Sequence, residues 1–309
     1  MAASTLLQES QLAADNGDVF RAAIIKIVAE ASPLMARIPF QSIGGDTLKY
    51  SVEGTAPTVA YRDVNESYTP NSGVDNPEIE TLKIVGGEIE IDTATVATRQ
   101  GSVSRQIDKK TKAMSQKMGR DLMKGTLTAD RKGIIGIESR LVIGTDRVIE
   151  NGSTSGGDAL KISKLDELCD SVEGVNALVM LKDQRRSITT YLQNSNSIKT
   201  SRDEFGRQVF SYNDLPILIA DQFGDTPALT NDEAGSGGGA TSCSIYALNL
   251  NEGYLWGLQN APMRVKNFGE VADKPAHRVR IEWLIGLCLG HPRAAARLRG
   301  IKRATAAVA

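Results

Sequence analysis

Apolar and polar residues alternate with period two in two stretches, 46–53 and 78–92, which predicts two strands. Leu48, Tyr50 and Val52 share a face of the first. Ile79, Leu82, Ile84, Ile89 and Ile91 mark the second, and Gly86-Gly87 inside it predicts a bulge or bend. Between the strands lies 54–77, a polar stretch with almost nothing to bury, too long for an ordinary connection. The period then changes. Val103, Ile107, Met114, Met118, Leu122 and Leu127 recur every three to four residues, which predicts a helix over 103–127 of roughly 37 Å, with one narrow buried seam.

The remaining elements follow from the same patterns. Residues 1–16 read as a polar arm. Asp18 caps a short helix whose apolar stripe is Val19, Phe20, Ala23, Ile24, Ile27, Val28 and Ala31, ended by Ser32-Pro33. A turn-rich link at 151–158 marks a subdomain boundary. An α/β alternation follows: helix 163–173, strand 177–181, helix 183–194, a hairpin around 205–210 and strand 215–220. A Gly/Asp/Thr-rich loop at 225–240 precedes strands at 244–250, 263–268 and 277–289, the last ending before Pro292.

A hairpin with so polar a tip gains little by folding back on its own subunit, because few apolar side chains offset the entropy of ordering it. The segment 54–77 is therefore expected to lack internal partners, to be mobile in the free subunit and to be ordered by a neighbour.

The chain of 309 residues has a net charge of −1, so bulk charge marks no nucleic-acid binder. Cys169, Cys243 and Cys288 lack metal or redox spacing and read as buried thiols. His277 and His291 have no ligand-spaced partner, so no metal or cofactor is expected. The N-terminus lacks a signal-peptide pattern, and the longest apolar run, 283–290, is too short to span a bilayer. No phosphate loop or nucleophile elbow occurs. Gly235-Ser-Gly-Gly-Gly-Ala240 loosely fits a dinucleotide fingerprint, but neither a strand before it nor a helix after it is predicted, and a flexible surface loop is the better reading. No enzymatic function is expected. The enzyme alternative, an α/β fold with 54–77 as a mobile lid, would need convergent polar groups that the sequence does not display.

Charge is distributed unevenly. From 53 to 80 there are six acids (Glu53, Asp63, Glu66, Asp75, Glu78, Glu80) against Arg62, a local −5. From 99 to 124 there are eight bases (Arg99, Arg105, Lys109, Lys110, Lys112, Lys117, Arg120, Lys124) against Asp108 and Asp121, a local +6. Either these are two separately solvated faces or they are complementary surfaces of neighbouring subunits. The candidate intersubunit residues are Tyr61, Arg62, Asp63, Glu66, Tyr68, Asp75 and Glu78 on the arm, and Arg105, Lys109, Lys112, Lys117 and Arg120 on the helix. Tyr61 and Tyr68 are read as packing on a partner protein rather than stacking on bases. A third basic run, Arg293, Arg297, Arg299, Lys302 and Arg303, faces either a phosphate backbone or solvent.

This order of elements, with 46–92 as an extended loop, 103–127 as a spine helix, strand 215–220 in a middle domain and a closing stretch through 246–256, 280–283 and 290–296, resembles the major capsid proteins of tailed bacteriophages. The resemblance spans essentially the whole chain and rests on no short motif. It implies the Hong Kong ninety-seven-type α+β fold, divided into an arm and short helix (1–45), an extended loop (46–92), a peripheral domain with the spine helix (93–158 and 263–309) and an axial domain (159–262). It also implies a structural subunit of the phage head, built in the host bacterial cytoplasm into pentamers and hexamers of an icosahedral shell around double-stranded DNA, with no membrane partner. Implied partners are other copies of the chain, a portal protein, a decoration protein and packaged DNA bound without sequence specificity. The chain begins almost directly with the arm, without a leading domain that serves as a built-in scaffold, so a separate scaffolding protein is expected. The alternative within the same fold is an encapsulin-type shell around a cargo enzyme.

Overall fold

The computed structural model describes residues 3–99, 101–194, 199–202, 208–220, 228–303 and 307–308. The polar arm at the N-terminus is a helix, α1 (Leu6–Asp15), contrary to expectation. Thr5 and Gln8 form a reciprocal capping box, and Leu6, Glu9 and Ala13 turn one face inward. A glutamate in that inward row masks its period in the sequence.

The helix α2 (Val19–Ala31) is capped by Asp18 as predicted, but its buried face is Ala22, Ile24, Ile25, Val28 and Ala29. Val19 and Phe20 stay exposed at the hairpin tip between α1 and α2. The spine helix sets the rotation, since its Ser115 Oγ donates to the Val28 carbonyl at 2.8 Å. A short helix, α3 (Pro33–Arg37), and strand β1 (Phe40–Ser42) complete this segment.

The predicted second strand is two strands. β2 (Thr47–Thr55) pairs antiparallel with β3 (Val74–Thr81) as a separate two-stranded arm. The chain turns at Leu82 into β4 (Lys83–Asp92), which pairs in unbroken register with the strand Ala276–Leu289. The bulge expected at Gly86-Gly87 is absent; both glycines serve close approach instead. A Cβ on Gly86 would lie 2.3 Å from the Ile281 carbonyl oxygen, and one on Gly87 would lie 2.5 Å from Lys110 Cε. After α4 (Thr93–Thr98), the spine helix α5 (Ser102–Lys124) starts at Gly101, whose φ of 70° needs glycine. It buries the predicted Ile107, Met114, Met118 and Leu122, together with Thr111, Ser115, Gly119 and Met123; Val103 is only half-buried, and the helix ends at Lys124, which leaves the predicted Leu127 outside it and exposed.

The rest of the chain contributes α6 (Ile137–Arg140), β5 (Val148–Glu150), α7 (Ile162–Asp170), β6 (Ala177–Met180) and α8 (Lys182–Asn194). Strands β7 (Lys199–Arg202), β8 (Gln208–Tyr212) and β9 (Leu215–Ile219) follow. Next come β10 (Glu233–Gly235), β11 (Gly238–Leu248), β12 (Leu255–Gln259), β13 (Arg264–Glu270), β14 (Ala276–Leu289) and β15 (Ala295–Lys302). One sheet is built on β14, with β4 along one edge and β13 and β12 along the other; β1 joins through β12. The other runs β5-β15-β11-β6-β9-β8-β7, with β10 beside β11. Most of the buried apolar side chains of both sheets and α5 form one cluster.

Three expectations change here. The glycine-rich stretch 228–240 contains β10 and the turn into β11 rather than a free loop; 225–227, and the 203–207 tip of the hairpin predicted around 205–210, lie outside the described residues. The third basic run lies on and beside strand β15: Arg293, Lys302 and Arg303 are exposed, but Arg297 and Arg299 are turned into the subunit. Arg297 is buried, with Glu233 at 2.9 Å and Glu138 at 3.1 Å, while Arg299 pairs with Glu150 and Arg303 with Asp183. The acids are remote in sequence, which hid them. The sheets also cut across the expected division at 159 and 262: β5 and β15 belong with the middle strands, and β12 belongs with β14.

Docking of α1 generates a pH dependence. Glu9 is buried, accepts from Ser4 Oγ at 2.9 Å and from the Gln259 side chain, and has one oxygen without a partner. Burial raises its carboxyl above the ordinary value of 4.5, against the pull of the Gln259 and Ser4 bonds and the Arg21 charge. A raised carboxyl holds its proton in the folded chain after the unfolded chain has released it. Stability is therefore lost as pH climbs from the ordinary value through the folded one. Glu9→Gln is expected to gain stability relative to the wild type as pH moves from mildly acidic to neutral; urea unfolding at both pH values checks it, and a constant difference refutes it.

Candidate intersubunit surface

The arm is fixed at its root. Leu48 and Tyr50 of β2 pack on a small apolar cluster of Leu82, Trp256, Leu258 and Cys288. Tyr50 meets the Trp256 ring edge-on at 6.0 Å, and Trp256 Nε1 donates to Gln41 at 3.0 Å. Burial, with the Cys288 and Glu80 charges adding to it, pushes the Tyr50 hydroxyl up to about 12, so it stays neutral. Glu80 pairs with Arg140 at 2.5 Å, both largely shielded from solvent. Arg140 also donates to the carbonyls of Leu287 at 3.0 Å and Ile135 at 3.3 Å. One guanidinium thus ties the arm to β14 and to the turn before α6.

The tip is not the partnerless loop that was expected. The strands extend to Thr55 and back from Val74, which shortens the connection to 56–73. Within it the Thr58 amide donates to Asn71 at 3.1 Å, the Asp63 amide to the Glu66 carboxylate at 3.0 Å, and the Glu66 amide to the Asp63 carbonyl at 3.2 Å. Arg62 lies over the Tyr68 ring at 5.4 Å and donates to the Glu66 carbonyl at 3.3 Å. Arg62, the one base between 53 and 80, and Tyr68 with it therefore hold the tip together. The whole tip is exposed, and three apolar side chains stand out in it: Val59, Tyr61 and Val64 are 96%, 105% and 83% exposed. Sequence reading named Tyr61 and missed the two valines, isolated as they are in a polar run. Asp75 and Glu78 are exposed on β3.

On α5, Arg105, Lys109, Lys112, Lys117 and Arg120 are all exposed. Arg105 Nε donates to the Gly101 carbonyl at 3.3 Å, and Lys117 Nζ lies 3.0 Å from Asp121 and 3.9 Å from Asp130. Lys110 covers Gly87, and Lys124 Nζ is 2.6 Å from the buried Glu233. Of the two charge runs, Glu80 and Lys124 serve the subunit's own packing, whereas Asp63, Glu66, Asp75, Glu78, Arg105, Lys109, Lys112, Lys117 and Arg120 are exposed.

Among the described residues no cluster of His, Cys, Asp or Glu has the makings of a metal site, and no helix is long and apolar enough to cross a membrane. Burial pushes the thiols of Cys169, Cys243 and Cys288 up to about 12, which leaves them unreactive near neutral pH.

An arm standing off a sheet that a long helix crosses, beside a second mixed sheet, is the architecture of the Hong Kong ninety-seven-type shell proteins, and the chain has that fold. The holo-SrpI encapsulin complex of Synechococcus elongatus PCC 7942 superposes with a TM-score of 0.64 at 13% identity, covering 89% of each chain. The capsid of a native GTA particle gives 0.62 at 12%, covering 88% of this chain and 90% of that one. The structure of Mycobacterium phage Bobi gives 0.61 at 11%, covering 86% and 89%. No protein-family model and no curated protein matches the chain.

The root of the arm yields a direct prediction. Arg140→Met strands Glu80 and two carbonyls and is expected to cost about 2–3 kcal/mol in urea unfolding. Adding Glu80→Gln removes the stranded charge and is expected to return part of that loss. An Arg140→Met subunit as stable as the wild type would show that the pair does not anchor the arm.

Proposed function

We propose that the chain is a major capsid protein, the structural subunit that forms pentamers and hexamers of a closed phage head around double-stranded DNA. The observation that carries this reading is an arm anchored at its root and closed at its tip by its own hydrogen bonds, whose outer surface is exposed in the subunit. Full-length likeness to shell proteins supports it. The subunit has no catalytic role. Its partners are further copies of itself, a scaffolding protein, a portal protein, a decoration protein and the packaged DNA, and it resides in the virion after assembly in the host cytoplasm.

The likeness to an encapsulin, at a TM-score of 0.64, favours one second reading: a shell around a protein cargo. Electron microscopy of the protein expressed with its neighbouring genes distinguishes these readings, with closed shells holding DNA expected. Shells filled by a cargo protein favour the second reading, and persistent monomers or dimers refute both.

In the assembled shell, the acids at 63, 66, 75 and 78 of one subunit lie along Arg105, Lys109, Lys112, Lys117 and Arg120 of the next. Each surface pair contributes only about 0–1 kcal/mol, so the set governs register and assembly rate rather than affinity, and salt weakens it. Glu66→Lys with Asp75→Lys is expected to slow assembly without unfolding the subunit. Lys109→Glu with Lys112→Glu should restore part of the rate; Lys112 is preferable to Lys117, which Asp121 already engages. Normal assembly of the first variant at low salt, or no gain in the fourfold one, would reduce both charge runs to solvated faces.

A further inference from the structure

Charge complementarity alone leaves the direction of the arm along the neighbouring spine helix undecided; the exposed apolar side chains decide it. At the C-terminal end of α5, Leu127 is 44% exposed, and Val142 and Ile143, just past α6, are 60% and 58% exposed. Ser139 Oγ donates to the Gly125 carbonyl at 2.8 Å, which holds these two turns side by side. Arg120, Arg131 and Lys132 are exposed in the same segments, as are Asp130 and Asp146. At the N-terminal end of α5, Ser104, Arg105 and Gln106 are exposed and none is apolar, while Val103 is half-buried.

The tip of the arm is the counterpart in shape and charge. Val59, Tyr61 and Val64 project from a loop closed by its own hydrogen bonds, so seating them costs little further ordering. Asp63 and Glu66 flank them with the sign that Arg120, Arg131 and Lys132 require. Lengths agree as well: eight to nine strand residues reach roughly 28 Å, and 23 helical residues roughly 35 Å. With the tip at the C-terminal end, Asp75 and Glu78 fall back along the helix toward Lys112 and Lys109.

We infer that Val59, Tyr61 and Val64 of one copy form a preformed plug that seats on Leu127, Val142 and Ile143 of a second copy, so that the arm runs with its tip toward the C-terminal end of the neighbouring spine helix. The inference rests on the shell reading and adds the polarity and the anchor of the contact. Affinity resides in the apolar plug, and the charged shafts steer it into place.

Crosslinking of assembled particles tests it at positions outside the plug and its seat. Ser67→Cys with Ala129→Cys places thiols at the tip and at the C-terminal end of α5; Ser67→Cys with Ser104→Cys places the second thiol at the opposite end. All three residues are exposed, and the native thiols react slowly. A short bifunctional maleimide is expected to give a ladder of joined subunits with the first pair and none with the second. The reverse result, or intact shells with a ladder from neither pair, overturns the plug while leaving the shell reading in place. Failure of the wild-type protein to form shells overturns both. In a second measurement, Tyr61→Ser with Val64→Ser should lower particle yield at least tenfold at high salt, where steering is already screened, with the subunit's unfolding unchanged; an unaltered yield counts against the plug.

Discussion

The pairing of β4 with β14 is the contact on which the rest of the subunit depends. Ten consecutive residues of β4, from Lys83 to Asp92, run in unbroken antiparallel register with Ala276 to Ile285. That ladder joins segments almost 200 residues apart and fixes three things together. Its far edge carries β12 and β13, its inner face receives the spine helix, and the chain that enters β4 at Leu82 is the returning strand of the arm. The direction of the arm is therefore set by the sheet, through Leu82 and the Glu80–Arg140 pair, rather than by the loop itself. On the outer face Glu88 and Glu90 pair with Arg280 and Arg278 across the strands, while Ile89 and Ile91 face inward.

The C-terminal end of the spine helix is held by a different kind of contact. Lys124 reaches Glu233 on β10, Glu233 also engages Arg297 on β15, and Arg297 reaches Glu138 on α6. Two cations and two carboxylates balance in charge, and Ser244 and Tyr246 add hydrogen bonds. Such a network contributes little net stability over an apolar core, since desolvation offsets most of the Coulomb attraction. Its geometry is specific, however. It accepts only one position of the helix end relative to the β10–β11 hairpin, so the helix joins the two sheets with its end in register, and the exposed turns at 127 and 142–143 hold a fixed place beside it.

The sequence exposes those features whose cause is local. The α5 seam was legible because its apolar residues keep a helical period, and β2 because Leu48, Tyr50 and Val52 alternate. The features it hid depend on partners far away in the chain. Helix α1 carries Glu9 on its buried face, which makes sense only beside Gln259 and Ser4. Strand β15 looks like a basic tail until Glu138, Glu150, Glu233 and Asp183 come to meet it. Gly86-Gly87 resembles a bulge locally, whereas in the fold one glycine yields to the backbone of β14 and the other to Lys110. Most candidate contact residues were found by charge, which is additive along a sequence; of the proposed plug only Tyr61 was legible, because Val59 and Val64 become a surface only once the loop closes through Arg62, Tyr68 and Asn71.

That closure also separates two tasks that a disordered arm would have to combine. A mobile tip must be ordered on docking, and the entropy lost is of order 1–2 kcal/mol per residue, more than a few exposed ion pairs return. A tip already held by its own bonds avoids most of that cost, so three apolar side chains would suffice as the proposed anchor. The charged residues of β3 and α5 are then free to act over distance, where their sign matters more than their exact placement. In the proposed shell the same contact would recur around every ring, and a modest interaction with little ordering cost would favour reversible assembly, in which misplaced subunits leave before closure traps them.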